Sequence, residues 1–305
     1  MAVFRHPDAK LNLQSGAKVD YIMSRKIAVQ VNKENVLKYG ILSDMFEEVI
    51  PEYIVLEIPE GKDYLTKPEL FLLDLLSNYE WDRPINMLNM GGDLNIGVKD
   101  YLMYDGYSYR LTPVKTGASS TNVGIVDPDY LYHLLMDTFK FDAVSRGDYF
   151  IDYQNLYTHL GVMSLPNLFE TCAEFYMKIG QNERARTLLD KGRDVMRYYP
   201  IEGLPIGLSG VDLSVIGTIE DYLKLGCEQE GLALARNYMN ELLDACAFYM
   251  EFYKYAEGDF DQCTSFLYYF SNRLRNNGQE ELAKEAEDSL EAMIKAMGGA
   301  IEEKD

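Results

Sequence analysis

The spacing of apolar positions changes character near residue 125. Before it, short runs alternate in twos. Residues 25–31 (RKIAVQV) and 53–59 (YIVLEIP) alternate and are rich in β-branched side chains, which predicts two strands, the second stopped by Pro59. Residues 32–40 (NKENVLKYG) predict a short helix closed by Gly40, and residues 67–79 (KPELFLLDLLSNY) a longer one with Pro68 in its first turn. Residues 84–90 (PINMLNM) predict a third strand, ended by Gly91-Gly92. Within residues 100–116, Asp105-Gly106 is flanked by aromatic residues, a hairpin or tight-turn signal. Residues 116–124 (TGASSTNVG) read as a surface loop, and residues 1–25 as a polar, irregular tail or linker.

From Asp127 onward the period is helical. Asp127-Pro128 is a helix N-cap followed by proline at the first helical position, and residues 130–139 (YLYHLLMDTF) are the amphipathic run behind it. Residues 145–152 (SRGDYFID) break the pattern, which then holds from about 154 to 298. A repeat runs through this half. Tyr176 lies four residues before Gly180 and Ala185 five after it; Tyr222, Gly226 and Gly231 keep the same spacing, as do Leu274, Gly278 and Ala283. The glycine ends one helix, and the small residue lets the next pack closely, the logic of tetratricopeptide-like helix pairs. The periods of 46 and 52 residues exceed the usual 34 or so, and plain packing of helical hairpins leaves the same trace. The predicted class is α+β and mostly α: a tail (1–25), a small mixed α/β domain (26–125) and a tetratricopeptide-like helical array (126–305).

Charge narrows the partners. The 305 residues hold 29 Lys+Arg against 49 Asp+Glu, a net charge of −20. Such a field repels phosphate backbones and anionic lipid, so no nucleic-acid partner is expected. No apolar stretch approaches the roughly 18 residues of a membrane span, so no direct membrane insertion by this chain is expected. The first residues lack the apolar core of a secretory signal. An acidic helical array of this kind is expected to be monomeric.

Residues able to carry chemistry are scattered. Cys172, Cys227, Cys246 and Cys263 are spaced by 55, 19 and 17 residues, without a C-x-x-C. They fall in helical segments and read as small buried apolar residues rather than disulfides. His6, His133 and His159 are isolated, so no metal site is expected. GGDLNIG (91–97) does not match a dinucleotide loop, G-x-x-x-x-G-K is absent, and GLSGV (207–211) misses a nucleophile elbow by one position. The carboxylate pairs Asp259/Asp261 and Asp127/Asp129 read as solvated loops. No catalytic residue and no cofactor is expected, and the chain is read as non-enzymatic.

Tyrosine is the unusual count: 24, against 13 Phe and a single Trp. Tyr101, Tyr104, Tyr107 and Tyr109 crowd the expected hairpin, and Tyr249, Tyr253, Tyr268 and Tyr269 the last helices. Exposed aromatics stack on sugars or anchor protein partners, while buried ones fill interfaces with the hydroxyl reaching water. Trp81, beside Asp82, Arg83 and Pro84, reads either as a contact site or as a ring capping the core over a hydrogen-bonded turn. The candidate binding surface is Trp81, Arg83, Tyr101, Tyr104, Tyr107, Tyr109 and Arg110.

Several stretches carry a resemblance: residues 19–37, 70–87, 100–116, 126–141 and 175–196. Their most specific motif is Trp81, Arg83, Pro84 and Ile85 followed by Gly106, Tyr109, Arg110, Leu111 and Pro113. The chain resembles the C-terminal soluble region of bacterial polytopic membrane proteins of unknown function, a family similar to protein O-mannosyltransferases of the GT-C membrane fold. The resemblance covers about residues 20–200. It implies a parent protein that draws sugar from a polyprenyl-phosphate donor, with its catalytic acid in a membrane portion. This chain would be an accessory domain on the extracytoplasmic (periplasmic) face, binding an acceptor protein, a partner or a glycan. The alternative is a stand-alone helical scaffold for a protein partner.

Overall fold

The structure is a computed structural model that describes residues 10–12, 14–22, 24–88, 94–118, 124–147, 165–196 and 210–302. The expectations for His6, His159, Gly91-Gly92, the centre of the 116–124 loop, and helix at 154–164 and 197–209 lie outside these residues. The chain divides into two compact units, Met1–Leu134 and Leu135–Asp305.

Among the described residues the first unit carries three small antiparallel sheets. β1 (Lys10–Asn12), β2 (Lys18–Tyr21) and β5 (Tyr64–Leu65) form one, in the order β1-β2-β5; β3 (Lys26–Gln30) and β4 (Tyr53–Glu57) form a second. β6 (Asn86–Met87), β7 (Leu102–Tyr104) and β8 (Tyr109–Leu111) form the third, in the order β6-β8-β7. Two expectations need correction. The stretch before residue 26 holds two strands, hidden in the sequence because they are short and mostly polar. Of the strand predicted at 84–90, the described residues 84–88 pair at Asn86 and Met87 alone, opposite Arg110 and Tyr109.

Alternation builds the core. In β4, Ile54 and Leu56 turn inward while Tyr53 and Glu57 face solvent; in β3, Val29 is buried between exposed Ala28 and Gln30. These residues meet Leu72, Leu73 and Leu76 of α2 (Lys67–Ser77) and Leu102 and Leu111 of the third sheet in one apolar cluster. α1 (Lys33–Lys38) starts where the Asn32 side chain accepts the Asn35 N–H at 3.1 Å. α2 starts with a capping box, in which the Glu69 carboxylate takes the Thr66 backbone N–H at 2.8 Å. α3 (Pro128–His133) begins as its sequence predicts: the Asp127 carboxylate accepts the Tyr130 N–H at 3.1 Å, and Pro128 fills the first turn.

The second unit is helical: α4 (Asp142–Arg146), α5 (Leu165–Lys178), α6 (Asn182–Met196), α7 (Gly210–Lys224), α8 (Glu228–Glu251), α9 (Tyr253–Asn276) and α10 (Glu280–Glu302). The repeat becomes three helical hairpins with the same turn. Gly180, Gly226 and Gly278 adopt φ of 77°, 75° and 78°. The residue after each donates its N–H back to Tyr176, Tyr222 or Leu274, at 2.8, 2.9 and 2.9 Å. This is the Schellman C-cap, which needs a left-handed residue at C′ and takes glycine there. Ala185, Gly231 and Ala283, the small residues, are buried. Apolar faces of α7 to α10 close around Ile219, Tyr238, Leu242, Leu267, Phe270 and Leu290. Cys172, Cys246 and Cys263 are buried on helices, and Cys227 sits one residue ahead of α8. Among the described residues no helix is long and apolar enough to cross a membrane.

Candidate functional site: the open edge of β3

Among the described residues, β3 hydrogen-bonds to β4 on one side and to no strand on the other. The Ile58 N–H donates to the Arg25 carbonyl and the Val31 N–H to the Glu52 carbonyl, both at 2.8 Å. In an antiparallel pair the inward-bonding residues alternate, so residues 25, 27, 29 and 31 bond to β4. Lys26, Ala28 and Gln30 therefore turn their backbone groups to the open edge. Two carbonyls there are occupied: the Ser24 hydroxyl donates to Lys26 at 2.9 Å, and the Trp81 indole N–H to Gln30 at 2.8 Å. The Ala28 N–H and carbonyl lie between them.

A cleft of about 650 Å³ runs along this edge, lined by Ala28, Gln30, Leu73, Leu76, Tyr79 and Glu80 among others. Its far wall is fixed by local chemistry. Trp81 adopts φ of 56°, a left-handed conformation uncommon for a large side chain, and its ring is fully buried. The Tyr79 ring packs on it with centroids 4.8 Å apart, and the Tyr79 hydroxyl donates to the Arg83 carbonyl. The Asn35 side-chain amide donates to the Glu80 carbonyl at 2.8 Å, tying the same segment to α1.

The seven residues expected to form one binding surface go to different places. Trp81, Tyr101 and Arg110 are buried; Tyr104, Tyr107 and Tyr109 are half-buried; Arg83 is exposed. For Trp81 the core-capping reading is the one the fold builds. The Tyr101 hydroxyl bridges to Val55 of β4, donating to its carbonyl and accepting its N–H, each at 3.1 Å. Tyr104 and Tyr109 are cross-strand partners in the predicted hairpin, with centroids 5.4 Å apart. Burial pushes the Tyr107 hydroxyl up to about 12, with Tyr104 adding to it.

Arg110 is the surprise. Its guanidinium lies 3.4 Å from the Tyr130 ring centroid, 3.2 Å from the Asp105 carboxylate and 3.2 Å from the Gly40 carbonyl. Burial raises the Asp105 carboxyl to about 7; Arg110 opposes the rise and Asp127 adds to it. Asp127 also takes the Ser43 N–H at 2.7 Å. Asp105-Gly106, read as a turn signal, thus also supplies the counter-charge for an interior arginine.

Sequence reasoning missed the open edge, because alternation reveals a strand and not which neighbours it lacks. It also missed a carboxylate group in the second unit. Glu170 and Glu174 of α5 and Asp221 of α7 bring one oxygen each within 4.8 Å of one another. Gly217 makes room for it: a Cβ there would stand 2.2 Å from a Glu170 oxygen. Burial lifts Glu170 to about 8, helped by the charges of Glu174 and Asp221. Lys178 and Lys224 already sit on Glu174 and Asp221, at 3.0 and 2.9 Å, so a cation would have to displace an ammonium from each.

No curated protein and no solved structure matches the chain. Residues 2–130, the stretch that contains the open edge, the cleft and the Arg110 cluster, match the family model of TMEM260-associated domain 2, consistent with an accessory domain of a TMEM260-like membrane protein.

Proposed function

We propose that the chain is a non-catalytic accessory module of a membrane protein, and that its first unit holds a partner polypeptide in extended form. The family match supports the accessory role. The observation that carries the binding mode is the open edge of β3 beside a cleft. Strand addition draws affinity from main-chain hydrogen bonds and specificity from pockets for alternate side chains. Ala28 offers both backbone groups, and Gln30, Leu73, Leu76, Tyr79 and Glu80 line the cleft beside it. The mechanism is positioning, since a segment held here gains effective concentration at whatever site the membrane portion carries. That this portion transfers sugar, and that the module faces the extracytoplasmic side, rest on the sequence resemblance over about residues 20–200 alone.

A phage-displayed library of random dodecapeptides, selected on the purified chain, tests the reading. Enriched peptides should protect the Ala28 amide from hydrogen exchange. Ala28→Pro removes the open-edge N–H at a position where an edge strand tolerates proline, and should weaken binding about tenfold or more. Peptides that bind the proline variant equally well, or a selection that enriches nothing, would remove the strand-addition reading.

A further inference from the structure

Cys246 of α8 and Cys263 of α9 face each other inside the second unit, with their sulfurs 2.9 Å apart. Both side chains are buried in the cluster formed by α7 to α10. The Cys263 sulfur also lies 3.4 Å from the Leu242 carbonyl oxygen. A disulfide bond is about 2.05 Å long, so the sulfurs need to approach by roughly 0.9 Å. The two residues stand on neighbouring helices joined at Phe252, so small shifts of the helices can supply that approach. The spacing of 17 residues between these cysteines carries no motif, and only the hairpin brings them together.

We propose that Cys246 and Cys263 are a redox pair that closes into a disulfide stapling α8 to α9, with Cys172 and Cys227 outside it. The co-reactant is a thiol-oxidising disulfide. The Cys246 thiolate attacks one sulfur of that disulfide, breaking its S–S bond, forming a mixed disulfide and releasing one thiolate. The Cys263 thiolate then attacks the Cys246 sulfur, forms the internal bond and releases the second thiolate. Two protein thiols lose two protons and two electrons, and the oxidant leaves as two thiols. Cys246 is suited to the first attack, because the Cys263 hydrogen bond lowers its pKa, outweighing the upward push of burial. Both sulfurs are closed to solvent, so exchange proceeds through local opening of the hairpin or before it closes during folding. The staple sits close to the turn that presents the exposed rings of Phe248, Phe252 and Tyr255.

The test is equilibration of the full chain with glutathione and glutathione disulfide, acid quench, alkylation under denaturing conditions and tryptic digestion without reductant. Cleavage after Arg236, Lys254 and Arg273 places the two cysteines on separate peptides, 237–254 and 255–273. These should be recovered joined, two hydrogens lighter than their sum, while Cys172 and Cys227 are alkylated. The equilibrium constant should exceed that of the same chain in urea by at least about tenfold, because the fold holds the thiols together. Cys263→Ser should leave Cys246 alkylated. Two alkylated thiols after exposure to glutathione disulfide, a crosslink through Cys172 or Cys227, or a constant no larger than in urea would each overturn the proposal.

Discussion

The indole N–H of Trp81 donates to the carbonyl of Gln30 at 2.8 Å, across 51 residues of sequence. The contact joins the wall of the cleft to its open edge. It also holds a large residue at positive φ, a conformation that costs an L-residue roughly 1–2 kcal/mol. Full burial of the ring offsets that cost. Trp81→Phe keeps an aromatic ring in the core but leaves the Gln30 carbonyl without its donor. The expected loss is about 1–2 kcal/mol, read as a lower urea midpoint by far-UV circular dichroism. Trp81→Ala adds a cavity and should cost about 3–5 kcal/mol. An unchanged midpoint for the phenylalanine variant would show that the hydrogen bond contributes nothing to stability.

Acid should weaken the first unit through Glu69. This carboxylate is fully buried, yet takes N–H groups from Thr66 and Asn95 at 2.8 and 2.9 Å and the Lys62 ammonium at 3.0 Å. Burial alone would raise its pKa; the Thr66 and Lys62 contacts outweigh it and hold the carboxyl below its ordinary 4.5. A lowered folded-state pKa means that the unfolded chain binds the extra proton first. The stabilisation is therefore complete above about 4.5 and lost as the pH falls below it. Trp81, the only tryptophan, reports this unit by fluorescence. Glu69→Gln should cost about 2–3 kcal/mol at neutral pH and flatten the acid limb of its unfolding curve.

Alkali should weaken the second unit through Glu170. Its carboxyl is raised to about 8, first by burial and then by Glu174 and Asp221. The sign is opposite to that of Glu69. Between its ordinary 4.5 and about 8, the folded chain holds a proton that the unfolded chain has released. Stability is greatest below the lower value and declines as the pH rises through the upper one. Glu170→Gln mimics the protonated form. Its thermal midpoint by circular dichroism should match the parent at pH 5 and exceed it at pH 9, and a parallel decline in both would assign the alkaline loss to other groups.

What could be read from the sequence was local. The Schellman turns at Gly180, Gly226 and Gly278, the cap at Asp127-Pro128 and the hairpin at Asp105-Gly106 are each specified within a few residues, and each forms as the residues dictate. The candidate surface was not legible, because its members are sorted by distant partners. Arg110 lies in an aromatic strand and reads as solvent-facing, but Gly40, Asp105 and Tyr130 converge on it from three segments. Tyr101 reads like its neighbours until Val55 claims its hydroxyl. The edge of β3 is open because no strand among the described residues arrives beside it, and alternation within β3 cannot encode that. Cys246 and Cys263 meet only because α8 and α9 fold back on each other.

The three hairpin glycines give the sharpest test of the repeat. At Gly180, Gly226 and Gly278 nothing lies within 4 Å of where a Cβ would stand, so a side chain meets no steric barrier there. The cost of substitution is then backbone conformation alone. Each Gly→Ala change should destabilise by about 1–2 kcal/mol, and the three should agree within about 0.5 kcal/mol. Asparagine visits the left-handed region more readily than alanine, so Gly226→Asn should recover part of the loss. Gly97 is the control with an added penalty. Its φ is 79°, and a Cβ would lie 2.5 Å from the Glu57 backbone nitrogen, so Gly97→Ala must also shift β4 and should cost more than any hairpin variant. Urea unfolding followed by far-UV circular dichroism for the hairpins, and by Trp81 fluorescence for Gly97→Ala, reads the two units separately. Unequal costs at the three hairpins would mean that the shared spacing hides different turns, and the repeat would reduce to coincidence.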